Sequence, residues 1–302
     1  MKCGYYTAST IEDVIARQRA HPGKSAVIAG GTDILLDIEE GKKNADLLID
    51  VTQIPELNQI EEMGGRIRIG AAVTHAAAEK SSVIQRNARL LAEACRSVGS
   101  LQIRNIATLA GNVVSAQPAA DAAVALTALD AEIEIAGQDG RTTIPILKAY
   151  KGVGKSAIDT SSQLVTAITF DALNKNQGSA FIRLEQRTAL ALPMLNVAAV
   201  TALNPDGKTF AWVRIVMAPV GAGPVRAFKA EKSLKDAPVT MDAIKAAAEE
   251  AASEANPRSS RLRGSREYRL EVLPVLVRRA VAAAAEEVPG HGLCLEKEAV
   301  RL

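Results

Sequence analysis

With 302 residues, 36 basic and 34 acidic side chains and a formal charge of +2, the chain is too balanced to advertise nucleic acid or an anionic membrane as its partner. Hydrophobic residues make up 48% and charged ones 23%, the composition of a folded globular chain, at a length that favours two domains. No stretch reaches the ~18 uninterrupted apolar residues of a membrane span and the start has no apolar signal core, so a cytoplasmic location is expected.

In chain order, "TASTIEDVIARQRAHPG" offers Thr10 as N-cap, Glu12 and Asp13 in the first turn and Ile11, Val14 and Ile15 at helical spacing, which predicts a short surface helix. "SAVIAGG" is an apolar run closed by glycines, a buried strand feeding a turn. "TDILLDIEEG" follows as a helix with Thr32 or Asp33 as N-cap and Gly41 as stop. "ADLLIDVT" predicts a strand, and "GGRIRIGAAVT" alternates Arg66, Ile67, Arg68 and Ile69 as a half-exposed strand does. "HAAAEKSSVIQRNARLLAEACRSVG" is helical up to Gly99. The next stretch, "SLQIRNIATLAGNVVSAQPAADAAVALTALDAEIEIAG", predicts a loop, a second glycine turn, an Ala-rich helix and a strand from Ala131 to Ile135.

The polar "DALNKNQGS" marks a domain boundary, placed after residue 174. Beyond it "AFIRLEQR", "LNVAAVTAL" and "TFAWVRIVMAP" predict a three-stranded meander. Two helices follow, "MDAIKAAAEEAASEA" and "SREYRLEVLPVLVRRAVAAAAEEV", the second expected to kink or break at Pro274. No repeat of 20 to 50 residues is visible.

Several motifs dissolve on inspection. "YKGVGKSAI" ends like a phosphate-binding loop, but Ala149 stands where the first glycine is needed, and an exposed turn lysine is the better reading. Arg258, Arg261, Arg263, Arg266 and Arg269 crowd "RSSRLRGSREYR" with one aromatic, Tyr268, and read as a solvated loop or a protein contact. Cys3, Cys95 and Cys294, like His21, His75 and His291, are scattered, so neither a four-cysteine cluster nor a metal site is expected on this chain. No GxSxG elbow, HExxH pair or Cys/His arrangement is present.

The two glycine turns remain. In "AGGTD", the absent side chains of Gly30 and Gly31 let backbone N–H groups approach a ligand, the physics of a pyrophosphate seat, although GxGxxG is missing and plain turn chemistry is the commoner reading of such a turn alone. "TLAGN" repeats the logic, with Thr108 and Asn112 adding short polar side chains. Asp121 in "SAQPAAD" reads equally as a helix cap or as a ligand contact. The expectation is that both bends converge and offer main-chain donors to one doubly charged linker.

Taken together, "IAGGTDILLDI", "IGAAVTHAAAE", "VGSLQIRNIATLAGNVVSAQPAADAAVALTALDAEIEI" and "GSREYRLEVLPVLVRRAV" resemble the FAD-binding medium subunit of the xanthine dehydrogenase and carbon monoxide dehydrogenase family of molybdenum hydroxylases, from about residue 5 to 285. The resemblance implies an α+β fold: a two-subdomain FAD domain of the vanillyl-alcohol oxidase (PCMH) type over 1–174, with subdomains of about 1–55 and 56–174, then a C-terminal domain over 175–302 of three strands packed on helices. It implies a first FAD loop of Ala26, Val27, Ile28, Ala29, Gly30, Gly31, Thr32 and Asp33, with Ile34 entering the helix. The second loop is Thr108, Leu109, Ala110, Gly111 and Asn112, with Asp121 on the nucleotide, Leu164 packed near the flavin and Arg183 beside the isoalloxazine.

Two departures stand out. Ala110 replaces a usual glycine, and Arg183 replaces a usual lysine, keeping the charge but changing its shape. The implied enzyme is an oxidoreductase. A large molybdenum-cofactor subunit and a small subunit with two [2Fe-2S] clusters, arranged as a dimer of heterotrimers, pass electrons to this FAD and on to NAD⁺, a quinone or another acceptor. No side chain here acts as nucleophile or base. Two alternatives are a free-standing FAD-dependent reductase of a sugar nucleotide with the same fold, and an assembly protein without flavin.

Overall fold

The computed structural model describes residues 3–187, 190–261 and 263–289, so His291 and Cys294 lie outside the described residues. The chain opens with β1 (Gly4–Thr7), α1 (Ile11–Ala20), β2 (Ser25–Ile28), α2 (Ile34–Glu39) and β3 (Leu47–Asp50). These strands form a parallel sheet in the order β1-β3-β2, as crossover helices between short apolar strands require. Thr10 caps α1 as its sequence implies, its Oγ1 accepting from the Asp13 amide at 3.1 Å. Asp33 occupies the N-cap position of α2 but its side chain makes no capping bond.

The next unit begins with β4 (Ile60–Met63) and β5 (Arg66–Gly70) and continues through six short helices: α3 (His75–Lys80), α4 (Ser82–Asn87), α5 (Arg89–Arg96), α6 (Leu101–Ile106), α7 (Leu109–Val114) and α8 (Asp121–Ala128). It closes with β6 (Glu132–Gly137), β7 (Gly140–Pro145), a hairpin of β8 (Tyr150–Gly152) and β9 (Lys155–Ser156), and β10 (Leu164–Asp171). The main sheet here is antiparallel, in the order β4-β5-β10-β6-β7. The stretch expected as one helix up to Gly99 is three. Ser81 ends α3 and then caps α4, its Oγ accepting from the Ile84 amide at 3.4 Å, and Ala88 separates α4 from α5. Conversely, the expected loop and turn after Gly99 hold α6 and α7, nucleated by Ser100 and Thr108 as N-caps.

The last unit is an antiparallel sheet of β11 (Gln177–Leu184), β12 (Leu195–Leu203), β13 (Phe210–Ala218) and a two-residue β14 (Val225–Arg226), followed by α9 (Phe228–Leu234), α10 (Met241–Ser253) and α11 (Arg266–Glu286). The meander thus gains a short fourth strand. All nine residues of β12 are buried. Leu195, Val197 and Ala199 pack with the α10 and α11 side chains, while Ala198 and Val200 enter the core that contains α8. One strand buried on both faces explains the unbroken apolar run "LNVAAVTAL" and joins the last sheet to the helices above β6. Helix α11 runs through Pro274 without a break. A mid-helix proline costs about 3 kcal/mol, and here Leu273, Leu276, Val277, Ala280 and Val281, buried against the sheet, outweigh it. In the arginine run Arg258, Arg261 and Arg266 are exposed, but Arg269 is buried and donates to the carbonyls of Arg258 and Pro219, so that member is structural rather than solvated.

Candidate functional site

The chain leaves β2 through Ala29, Gly30 and Gly31, the last at φ +72°, and enters α2 beyond Thr32 and Asp33. Val27 and Ala29 through Ile34 line a cleft of about 1020 Å³, at the upper end of ligand sites. Ala26 and Ile28 are buried behind it in the sheet. The facing wall carries Thr108, Gly111 and Asn112. Leu109 and Ala110 turn away into the core, so the methyl that distinguishes Ala110 from glycine intrudes on packing and not on the cleft.

The two bends converge. Gly30 sits so close to the backbone of Ile106 and Ala107 that an added Cβ would lie 2.0 Å from the Ile106 carbonyl oxygen. Thr74 and Thr108 form a bridge, flanked by bonds from the His75 amide to Ala107 O (3.0 Å) and from the Leu109 amide to Val73 O (3.2 Å).

Their donors are not equivalent. Among the described residues nothing accepts from the amides of Ala29 through Ile34. The second bend spends three of its five: Leu109 on Val73 O, Gly111 on Thr108 Oγ1 at 3.0 Å and Asn112 on Thr108 O at 3.0 Å. It is a capped helix start. What it presents is the side chains of Thr108 and Asn112, the latter with a buried, unpartnered Oδ1.

Three site candidates lie outside the cleft lining. Leu164 is buried in β10 opposite Ala136. Asp121 is buried, accepts from Asn196 Nδ2 at 2.7 Å and lies 3.5 Å from Arg183 Nε. Burial pushes its carboxyl up to about 6 against the pull of Arg183 and Asn196. None of the three lines the cleft.

The cleft also uses residues that sequence reasoning passed over. Lys151, Gly154 and Ser156 belong to the β8–β9 hairpin, the very stretch set aside as a false phosphate loop. Lys43, Asp159 and Thr160 line the cleft as well. Lys43 Nζ donates to Thr160 Oγ1 at 2.8 Å, and burial lowers its pKa. Gln18 Nε2 donates to the carbonyls of Thr160 and Gln163, both at 3.1 Å. These contacts fasten the parallel sheet unit to the loop before β10. His75 lines the cleft fully buried, with neither ring nitrogen hydrogen-bonded. Burial, helped by Arg104, lowers its pKa to about 4.

A concave wall of free amides suits a polyanion, because successive N–H groups supply partial positive charge without a counterion to displace. The volume of the cleft, its lysines and the unpartnered Asn112 Oδ1 fit a dinucleotide. Among the described residues no group of three His, Cys, Asp or Glu side chains could hold a metal, and none of the described helices is long and apolar enough to cross a membrane.

Comparison with known proteins supplies the group. Residues 1–170 match the family model described as the FAD binding domain in molybdopterin dehydrogenase, and residues 180–284 match the CO dehydrogenase flavoprotein C-terminal domain. A xanthine dehydrogenase FAD-binding subunit of Escherichia coli O157:H7 is 28% identical over 288 residues, covering 95% of this chain and 97% of the relative. The carbon monoxide dehydrogenase medium chain of Hydrogenophaga pseudoflava is 25% identical over 280 residues, covering 93% and 96%. The structure of reconstituted CO dehydrogenase from Oligotropha carboxidovorans superposes with a TM-score of 0.89 at 25% identity, covering 95% of this chain and 99% of that one. The chain therefore belongs to the FAD-binding subunits of the molybdopterin dehydrogenases, an oxidoreductase family.

Proposed function

We propose that this chain is the electron exit of a three-subunit molybdenum hydroxylase in the cytoplasm. A large subunit with the molybdenum cofactor oxidises the substrate, a small subunit with [2Fe-2S] clusters relays the electrons, and they leave from the FAD held here to NAD⁺ or another acceptor. The assembly is a dimer of heterotrimers. Residues 1–174 form the flavin-binding part, with lobes of about 1–55 and 56–174, and 175–302 the C-terminal domain.

The observation that carries the reading is the row of unbonded amides from Ala29 to Ile34 lining a cleft against the second bend. These amides hold the pyrophosphate. Thr108 and Asn112 bracket it from the opposite wall, and Lys43 and Lys151 complement its charge. Asp121, Leu164 and Arg183 support the wall from behind. The bound flavin supplies the redox chemistry, and the protein binds, orients and shields it.

Gly31→Val tests this. Gly31 is at φ +72°, and a Cβ there would meet Leu35 Cδ1 at 3.0 Å, so a β-branched residue forces the bend to refold and withdraw its donors. Titration of the purified apoprotein with FAD is expected to show wild-type binding and at least about tenfold weaker binding in the variant, the equivalent of about 1.4 kcal/mol. A wild-type chain that takes up no FAD, or a Gly31→Val chain with full occupancy, overturns the reading. Size-exclusion of native extract tests the assembly: a large complex carrying molybdenum and iron is expected, and a yellow monomer refutes the partner assignment.

A further inference from the structure

The guanidinium of Arg183 makes two hydrogen bonds to carbonyls and two ion pairs with carboxylates. Nη1 donates to Ser97 O at 2.6 Å and lies 3.0 Å from Glu185 Oε2, Nη2 donates to the carbonyl of Ala191, and Nε faces Asp121 Oδ1 at 3.5 Å. Its side chain is 10% exposed. Two carboxylates surround one cation, so once both are ionised the group carries a negative balance and has no spare positive charge to lend. The residue after Ser97 is Val98, which lines the cleft. The Val98 carbonyl is gripped from the other side by Arg104 Nη1 at 3.1 Å, and Arg104 is backed by Glu79 at 3.5 Å. The Ser97–Val98 backbone is thus pinned between two arginines, each held by carboxylates on other elements.

Resting on the flavin-binding reading above, we propose that Arg183 is a positioning residue, which fixes the Ser97–Val98 wall of the cleft through the Ser97 carbonyl and does not act on the flavin as a charge. A planar fork with five N–H donors reaches two carbonyls and two carboxylates lying in different directions; a lysine ammonium on a flexible stem does not. Shape at position 183 therefore matters and charge does not.

The test compares Arg183→Lys with Arg183→Met. Because the methionine leaves Asp121 and Glu185 facing no cation, Arg183→Met/Asp121→Asn serves as a second neutral variant that relieves the repulsion. All three are expected to release FAD about tenfold faster than wild type, since lost positioning acts mainly on the off-rate. All three are also expected to share one flavin midpoint potential. Hydrogen exchange at Ser97 to Gly99, measured on apoprotein, should accelerate alike in the three, with the thermal midpoints of apo Arg183→Lys and the double variant near wild type. The proposal is overturned if Arg183→Lys keeps the wild-type off-rate and potential while the neutral variants shift, which assigns the residue to charge. It is equally overturned if exchange at Ser97 to Gly99 does not change. Wild-type apoprotein that binds no FAD defeats the flavin-binding reading instead, and the exchange measurement still decides whether the pin exists.

Discussion

Gly30→Ala is expected to abolish flavin retention and to lower the unfolding free energy of the apoprotein by about 1 to 3 kcal/mol, the range for overpacking a tight contact. The added Cβ would sit 2.0 Å from Ile106 O, 2.5 Å from Ile106 C and 2.9 Å from Ala107 N. All three are backbone atoms, so no rotamer change relieves the clash and the two bends must separate. Separation opens the seat on the side where Leu109, Gly111 and Asn112 of the second bend have already spent their amides. Gly41→Ala is the control. Unlike Gly30, that residue is in the left-handed region, at φ +71°, but a Cβ there meets nothing within 4 Å, so it costs about 1 kcal/mol of backbone strain and leaves FAD binding unchanged. Urea unfolding and FAD titration of the two variants check both halves, and wild-type FAD affinity in Gly30→Ala removes the basis for a site built on the approach of these bends.

That approach illustrates what the sequence can and cannot disclose. Elements with a clear local code are legible: the Thr10 cap and Gly41 stop, the Arg66–Ile69 alternation, and the three long apolar strands near the expected bounds. The first bend is legible as well, because adjacent glycines between an apolar strand and a helix have few other uses. Helices α6 and α7 are hidden since six-residue helices have too few turns to show a period, and only Ser100 and Thr108 at N-cap spacing betray them. Thr108 has a second role that the sequence does not show: its Oγ1 accepts from the Gly111 amide, while the side chain still lines the cleft. The β8–β9 hairpin contributes to the cleft because Gly154 N bonds Ala116 O beyond the end of α7, a tertiary contact with no local signature. Pro274 shows the converse. Its local rule is sound, and burial of one face of α11 overrides it.

His75→Leu is expected to change the pH dependence of stability by on the order of 3 kcal/mol across pH 4 to 6.5. The folded imidazole has its pKa lowered from 6.5 to about 4 by burial, with Arg104 adding to the effect. Between those values the unfolded chain binds the extra proton, so this residue's contribution is fully present above pH 6.5 and is lost as pH falls towards 4. Asp121 works the other way. Its carboxyl is raised from 3.8 to about 6 by burial, partly opposed by Arg183 and Asn196, so the folded state holds the proton and this contribution is lost as pH rises through 6. The two windows overlap, and the two slopes offset each other in the wild-type protein. Each substitution unmasks the other group: relative to wild type, His75→Leu should lose stability as pH rises from 4 to 6.5, and Asp121→Asn should gain it. At pH 7 His75→Leu should be at least as stable as wild type, because it removes two buried nitrogens that have no partner. Urea unfolding of the apoproteins at pH 4.5, 5.5 and 7 measures the difference curves. A flat difference between His75→Leu and wild type would mean that the imidazole is solvated or paired, and that the cleft wall at His75 is more open than its burial implies.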